Sequence, residues 1–526
     1  MVRNETGFWK GCEMKRVSAI LLALCIALAA PRPGRPEGAG KSESAERFEA
    51  SGKPESAGKR ETSGRLEASA NSIRPAAVYD YCKTISSERF AGRLTGDEGY
   101  SEAARWAAAM FRAWGLRPPG SKDGCLQPYP SPYTLVDEAE MTFLVPPRGD
   151  TLGAAPSEVK LEPGKDFLPT LYTDSGDRTG GLVFVGWGIC APELSYDDYA
   201  GVDVAGKYVL CFRGTPDEKN KAYQEHDQHR HRMRTARDHG ALGLIYIYPE
   251  VNAHPNSDWI EGFTAAMIST KAADTLFAEL ALTAAEVERE LEAKKTPHSF
   301  ALRASVRYRV SSRHFPNGVG YNIVGLIQGS DPRLRDQCIV VGGHFDHCGR
   351  HMGMLFAGAD DNASGSATVM AIAEAFAKYG TRPKRSVLFV LFGGEEQGLI
   401  GSSYFAEHLP APFTKVDAMF NFDMTGEGDG TNYGCTPEPP ELKRTIEIAN
   451  KGVGTIRRDW PIKEVGVRSS DYAPFFQKGA ACAAFFSNGP HVAYHQTGDT
   501  IYRINPDMLA DVARLGFLSA YRWADR

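Results

Sequence analysis

Apolar residues in the second half of the chain form short, unbroken runs separated by longer amphipathic segments. The runs CIVVGG, SVLFVLF and VDAMFNF have the length of strands and are bounded by turn residues, which predicts buried strands. The intervening segments SGSATVMAIAEAFAKY and GLIGSSYFAEHL have the length and composition of helices. Strands that alternate with helices in this way indicate βαβ units. We therefore expect an α/β fold with a doubly wound, mostly parallel sheet flanked by helices.

The pattern before about residue 305 is different. The segment Tyr100–Leu116 has helical periodicity and ends near GLRPPG. Two strand-like runs then follow, GGLVFVGWGI and GKYVLCFRG, with turns between them. A polar helix and a further strand are predicted from HRMRTARDHGALGLIYIY. These elements predict a separate, mainly-β unit inserted before the α/β part.

The N-terminal residues resemble a targeting segment. Lys10, Lys15 and Arg16 precede the apolar stretch VSAILLALCIALAA, which has signal-peptide length. That stretch is shorter than the ~20 residues of a membrane span. We therefore expect an exported, periplasmic or extracellular protein without a membrane span and without a lipoprotein anchor. The following segment, rich in Ser, Gly, Glu and Lys, is expected to be a disordered linker.

The amino-acid composition excludes few classes of protein. The 526 residues are 42% hydrophobic and 24% charged, which is typical of a globular protein. A net charge of −5 gives no reason to expect nucleic acid or an anionic membrane surface as a partner. The eight cysteines beyond the apolar N-terminal stretch show no CxxC spacing, and Cys211, Cys338 and Cys482 lie in strand-like runs. We expect these three to be small buried residues, and we leave disulfide pairing open.

Polar residues follow the predicted strands where those strands end. CIVVGG is followed by HFDH, SVLFVLF by GGEE, and VDAMFNF by DM; GADDNASG precedes a helix, and YHQTGDT follows the apolar AACAAFF. In open α/β sheets the ligand site lies outside the carboxyl ends of the strands. His, Asp and Glu side chains from five places are therefore expected at one rim.

These residue types fit two hydrolytic zinc ions. Zinc binds imidazole nitrogen and carboxylate oxygen, and two neighbouring ions need a bridging carboxylate. Terminal ligands are available from four residues: His344, Glu396, Asp423 and His495. An aspartate of ADDN can bridge, and one glutamate of the adjacent pair must stay off the metal to accept a proton from water. Asp346, two residues from His344 on a strand, is expected to orient the imidazole.

The motifs GGHFDHCG, GADDNASG, GGEEQGLIGS, NFDM and HQTGDT, in this order, resemble those of the co-catalytic zinc exopeptidases. This family includes bacterial leucyl aminopeptidase, aminopeptidase Y and glutamate carboxypeptidase II. The resemblance covers about residues 322–500, and the insert resembles a protease-associated domain. Together with the signal peptide (1–30) and the linker (31–74) indicated by composition, it implies domain limits at 75–149 (first part of the peptidase domain), 150–300 (insert) and 301–526 (rest of the catalytic domain).

The resemblance also implies residue roles. One ion would be held by His344, Asp361 and Asp423, and the other by Asp361, Glu396 and His495. Glu395 would be the general base, and the peptide bond Asp361–Asn362 would be cis. The implied activity is removal of N-terminal residues from peptides through a water that bridges the two zinc ions.

Other interpretations stay open. Carboxypeptidase or dipeptidase activity uses the same ligands, and a glutaminyl-cyclase-like acyltransferase would use one zinc on the same fold. His347 is expected to point away from His344 and, with His351, to have a structural or surface role. The histidines of EHDQHRHR are expected at a solvated helix start. Tyr472 stands where the family often has histidine, which leaves the role of the SSDY segment open.

Overall fold

Two eight-stranded sheets, each with its own hydrophobic core, divide the chain. The computed structural model describes residues 57–119, 124–147, 155–255, 258–428, 430–455, 463–465 and 470–526. The predicted signal peptide lies outside the described residues. No helix among those described is long and apolar enough to cross a bilayer.

The first sheet is the predicted α/β sheet. Its strands, in order across the sheet, are Leu126–Pro130, Val319–Ile327, Ser386–Phe392, Cys338–His344, Val416–Phe422, Ala481–Ser487, Thr431–Cys435 and Lys463–Glu464. The four central strands, from Ser386–Phe392 to Ala481–Ser487, run parallel. The strands on either side of this group pair antiparallel with it. The fold is therefore α/β as predicted, with a mixed sheet whose centre is parallel.

Helices cover both faces of this sheet, which explains why its central strands are continuous apolar runs. They are Pro75–Ile85, Glu98–Ala113, Gly365–Tyr379, Ile400–Glu407, Pro440–Val453, Ala473–Gln477 and Pro506–Ala524. The last begins where the Asn505 side chain accepts from two backbone N–H groups and Pro506 occupies the first turn. Gly516 lets this helix approach the sheet closely, because a Cβ there would lie 2.5 Å from Cζ of Phe422.

The predicted linker 31–74 is wrong in its second half. Residues Ala57–Asn71 form a helix that contacts the C-terminal helix. Leu66, Ala70 and Ile73 are buried in the first core, and Arg514 donates to the Ile73 carbonyl at 2.8 Å. Leu66 and Ala70, at i and i+4, lie on one face of the helix, and Ile73 follows its end. The polar composition of the segment hides that face.

The second sheet contains the predicted insert. Its strands, in order, are Ser157–Lys160, Tyr133–Val145, Ser299–Phe315, Gly176–Val185, Tyr208–Phe212, Gly243–Tyr248, Thr264–Ser269 and Phe167–Pro169. Three helices accompany it: His229–Asp238, Thr270–Phe277 and Ala284–Lys294. The long strands Tyr133–Val145 and Ser299–Phe315 pair antiparallel. They carry the sheet beyond both predicted limits, 150 and 300.

Short hairpins and the cysteine side chains complete the description of the fold. Cys190–Ala191 pairs with Tyr196–Asp197, and Gly349–His351 pairs with Met354–Phe356. None of the eight cysteines of the described residues forms a disulfide. Cys211, Cys338 and Cys482 are fully buried in strands, which confirms the prediction for these three.

Candidate active site

The predicted ligands lie together at the carboxyl ends of the central parallel strands. His344 is the last residue of its strand, and Asp423 directly follows Val416–Phe422. Gly393 and Gly394 lead from Ser386–Phe392 to Glu395 and Glu396. Adjacent parallel strands end at one edge, so these side chains converge as the sequence predicts.

Asp361 reaches the rim from the turn Ala359–Ser364, within which Asp361 and Asn362 have non-helical backbone angles. The peptide bond Asp361–Asn362 is cis, which confirms the expectation. The Asp499 carboxylate accepts from the backbone N–H groups of Asp360 and Asp361 at 2.8 and 3.0 Å. The Asp360 side chain has other partners. Its carboxylate accepts hydrogen bonds from the backbone N–H groups of Gly426 and Glu427, and it lies 2.6 Å from Nδ1 of His491. Of the two aspartates of ADDN, Asp361 is the one directed at the histidine ligands.

The two oxygens of Asp361 face different groups of ligands. Oδ1 lies 3.2 Å from Nε2 of His344, and this nitrogen is also 3.2 Å from Oδ1 of Asp423. Oδ2 lies 3.1 Å from Nε2 of His495, which is 2.9 Å from Oε2 of Glu396. Such an arrangement is that of a carboxylate shared between two metal sites. The five residues thus form two sets, with Asp361 common to both.

His495 provides a test of whether these residues fit a metal. Its Nδ1 lies 2.6 Å from the Ala253 carbonyl and therefore carries the hydrogen. The other nitrogen, Nε2, is buried without a hydrogen-bond partner and faces carboxylate oxygens of Asp361 and Glu396. Burial lowers the pKa of His495, but the carboxylates of Glu396 and Asp361 outweigh it and raise that pKa well above its ordinary value, so this nitrogen needs a proton or a metal cation between it and the two carboxylates. The donor set, imidazole nitrogen with carboxylate oxygen, is one that zinc prefers.

The Ala253 contact comes from the second sheet's unit, so that unit supports the site directly. Ala253 also donates its backbone N–H to the His495 carbonyl at 2.8 Å. Nearby, Gln496 donates to the Glu250 carboxylate at 3.0 Å, and the ring of His254 lies 5.1 Å from that of His495. Nothing in the strand pattern of the insert predicts these contacts, because they come from the loop after Gly243–Tyr248.

Asp346 lies beside His344, but the contact differs from the expected one. The backbone carbonyl of Asp346 is 3.3 Å from Nδ1 of His344, whereas its carboxylate is 3.8 Å away. That carboxylate instead accepts the backbone N–H of Glu395 at 3.2 Å. Burial raises the pKa of Asp346 to about 7. Asp346 therefore joins the ends of two strands and leaves Nε2 of His344 directed at Asp361.

Glu395 and Glu396 differ in their surroundings. Burial raises the pKa of Glu395 well above its ordinary value, and the neighbouring Glu396 adds to the shift. Burial acts in the same direction on Glu396, but the His495 side chain outweighs it and lowers the pKa of Glu396 to about 2. A carboxyl that prefers its proton is suited to acid–base work, whereas one that stays ionised is suited to bind a cation.

His347 is the residue whose position the sequence mispredicted. It is fully buried, and its Nδ1 lies 2.8 Å from Oε1 of Glu396. The prediction that His347 points away from His344 assumed strand alternation, but the strand ends at His344. The feature of the sequence that could have pointed to His347 is that the HFDH motif contains a second histidine.

Ser470 is a second residue that the sequence did not assign. Its hydroxyl donates to Oδ2 of Asp423 at 2.6 Å and accepts from Nδ2 of Asn421 at 2.9 Å. Tyr472, the departure from the family pattern, is buried in a small core cluster on the other side of the sheet's strands. Ser470 therefore orients Asp423, whereas Tyr472 packs within the hydrophobic core.

The other histidines that the sequence singled out make contacts of a different kind. His351 is buried, accepts from the Val136 N–H at 3.1 Å and lies 2.8 Å from the Cys348 carbonyl, which is a structural role. His226 pairs with Glu193 at 2.6 Å, and His229 lies 3.0 Å from the Tyr172 hydroxyl. His231, in the first turn of helix His229–Asp238, is exposed, as a solvated helix start predicts.

Two histidines and several carboxylates at the C-terminal rim of an α/β sheet are the arrangement that the co-catalytic zinc exopeptidase class predicts. Residues 322–518, which include all of these side chains, match the model of Peptidase family M28.

Known proteins extend the similarity. Leupeptin-inactivating enzyme 1 of Streptomyces exfoliatus is 30% identical over 210 residues, 36% of this chain and 45% of that protein. An aminopeptidase of Pseudomonas aeruginosa (strain UCBPP-PA14) is 26% identical over 402 residues, 69% of this chain and 66% of that protein. The chain thus spans less than two thirds of either relative. The solved aminopeptidase from Aneurinibacillus sp. strain AM-1 shares the fold, with a TM-score of 0.61 at 20% identity over 86% of this chain and 94% of that one.

Proposed function

We propose that this protein is a zinc-dependent exopeptidase that removes N-terminal residues from peptides. The observation that carries the proposal is the division of Asp361, whose Oδ1 faces His344 and whose Oδ2 faces His495. A structural zinc site is closed and single, whereas hydrolytic pairs share a carboxylate. The two similar proteins described above, an aminopeptidase and a leupeptin-inactivating enzyme, support this proposal.

The metal ligands would be two sets of three. His344, Asp361 and Asp423 would hold one zinc, and Asp361, Glu396 and His495 the other. Bound there, two zinc ions would acidify water and polarise the carbonyl of the scissile bond.

The chain's own groups account for the proton transfers. Glu395, next to the ligands and not among the two sets, accepts the proton of the attacking water. It then gives this proton to the leaving amine, as its raised pKa favours. Asp346 holds the backbone of Glu395 through the N–H contact at 3.2 Å, so the base stays in place beside the ligands.

Substrates with different ends distinguish this activity from the alternatives. The purified protein, loaded with zinc, is assayed on aminoacyl anilides with a free or an acetylated α-amine. It is also assayed on acetylated peptides with a free carboxyl terminus and on dipeptides. We expect cleavage that requires a free α-amine. Efficient cleavage of the acetylated anilides would overturn the aminopeptidase proposal. Release of the C-terminal residue from acetylated peptides would indicate a carboxypeptidase, and cyclisation of N-terminal glutamine with one zinc per chain would indicate an acyltransferase.

Export and the accessory role of the second unit are part of the same proposal. The basic residues and apolar stretch of residues 1–30 support export to the periplasm or the medium. The unit around the second sheet would act as a protease-associated domain that shapes the cleft. Fractionation of cells that express the full chain tests export; the protein retained in the cytoplasm with its N-terminal segment uncleaved would contradict it.

A further inference from the structure

His347 is enclosed by groups that fix its position. Its side chain is fully buried, and its backbone N–H donates to the Arg93 carbonyl at 3.1 Å. Gly358, at a φ of +57°, leaves room for the imidazole, because a Cβ there would lie 2.4 Å from Cγ of His347. A buried polar side chain held in this way needs a partner for its N–H group.

That partner is Glu396. Nδ1 of His347 lies 2.8 Å from Oε1 of Glu396, while Oε2 of the same carboxylate lies 2.9 Å from Nε2 of His495. The two oxygens of Glu396 are therefore directed at different groups. An ionised carboxylate only accepts hydrogen bonds, so Nδ1 of His347 carries the hydrogen.

The same geometry separates His347 from the ligands. A nitrogen that carries hydrogen has no lone pair for a metal. Nδ1 of His347 is 4.0 Å from Oδ2 of Asp361, whereas Nε2 of His495 is 3.1 Å from that oxygen. The rings of His347 and His495 lie 5.4 Å apart and nearly perpendicular. Nδ1 of His347 therefore contacts Glu396 and not the shared carboxylate of Asp361, which His495 contacts.

We propose that His347 is a positioning residue that makes Glu396 bind the second zinc through Oε2 alone. The inference rests on the proposed function, since it concerns a ligand of that metal pair. Groups that hydrogen-bond to a metal ligand typically contribute 10–100-fold to metal affinity. Loss of the donor frees Oε1 and lets the carboxylate rotate, so the second site, formed with His495, weakens while the first, formed with His344 and Asp423, does not.

Three variants separate a donor from a ligand and from a purely structural residue. His347→Ala removes the hydrogen bond. His347→Asn places an amide N–H near the position of Nδ1, and an amide is a good donor but a poor zinc ligand. His351→Ala is the matched control, because it removes a buried imidazole that contacts none of the proposed ligands.

The measurement is a competitive chelator titration that resolves two zinc affinities per chain, together with thermal unfolding of the metal-free proteins. We expect His347→Ala to weaken one zinc by about 10–100-fold and the other by less than about threefold. His347→Asn should restore most of that loss, and His351→Ala should keep both affinities. Thermal unfolding shows whether the metal-free His347→Ala protein is folded; should it not fold, the comparison of His347→Asn with the wild type decides.

Each other outcome overturns the inference. Unchanged affinities in His347→Ala would show that the hydrogen bond has no effect on the metal. An Asn variant as weak as the Ala variant would make His347 a ligand, and equal weakening of both zincs would make it structural. In all three cases the proposed function still stands if the wild-type protein binds two zincs and cleaves peptides. A wild-type protein that binds no zinc would contradict both the proposed function and the role of His347.

Discussion

The backbone N–H of Glu395 donates to Oδ1 of Asp346 at 3.2 Å, and this bond joins the ends of two neighbouring parallel strands. One strand delivers His344 and the other the glutamate pair. The bond fixes the first residue of that pair, so that the second, Glu396, reaches the side of His495. Adjacent and chemically identical side chains thereby receive different surroundings.

Substitution of each glutamate separates the two roles. Glu396→Gln is expected to lose one zinc, because a neutral amide is a poor zinc ligand, and excess metal should restore part of the activity. Glu395→Gln is expected to keep two zincs and to lose at least ~10²–10⁴-fold in kcat, the usual contribution of a general base. Elemental analysis of zinc per chain alongside kcat measures both. Zinc loss in Glu395→Gln with both ions kept in Glu396→Gln would reverse the assignment.

Ser470 offers a test of the first site. Ser470→Ala removes the donor to Asp423 at 2.6 Å, and we expect the zinc held by His344 and Asp423 to bind about 10–100-fold more weakly. Chelator titration of the two sites measures the change. Ser519→Ala, which alters a buried serine of the C-terminal helix, is the control and should change neither site. Loss at the second site in Ser470→Ala would contradict the geometry.

Arg93 is expected to be a major determinant of stability. Its buried guanidinium donates to the carbonyl oxygens of Phe345, Ile85, Ala357 and Gly358 at 2.8–2.9 Å. Arg93→Met leaves these buried acceptors without donors, and we expect more than ~4 kcal/mol of destabilisation in urea unfolding. Arg89→Met, which breaks an exposed pair with Glu102, should cost less than ~1 kcal/mol. Similar values for the two variants would refute the role of Arg93.

His351 is expected to make stability depend on acid pH. Burial lowers its pKa from the ordinary 6.5 to about 4, and its Nδ1 must stay bare to accept from Val136. The unfolded chain therefore binds more protons between these values, so stability is present above pH 6.5 and falls as the pH drops toward 4. The loss is at most roughly 3 kcal/mol. Thermal unfolding of metal-free protein across this range measures it, and His351→Gln, which cannot take up the proton, should flatten the curve.

The sequence predicted the first sheet and the side chains that converge at its rim, because both follow from local patterns. Continuous apolar runs mark strands buried on two faces, and polar residues at their ends mark the rim. His344, Glu396 and Asp423 could be found in this way.

Contacts between distant segments could not be predicted. The Ala253 carbonyl, 242 residues from His495, is a backbone group and leaves no signal in residue type. His347 was misdirected because strand alternation was extended past the end of its strand. Helix Ala57–Asn71 was missed because tertiary contacts of a few apolar residues outweigh a polar composition.

The paired hydrogen bonds between Ala253 and His495 make docking of the second unit and filling of the second site reciprocal. If the carbonyl of Ala253 raises the affinity of His495 for metal by some factor, the metal must raise the docking equilibrium of that loop by the same factor. Removal of the metal by a chelator is then expected to speed amide hydrogen exchange in the segment Val251–Pro255, which lies outside the rim. The accessory unit would act in this way as a sensor of metal occupancy as well as a wall of the cleft.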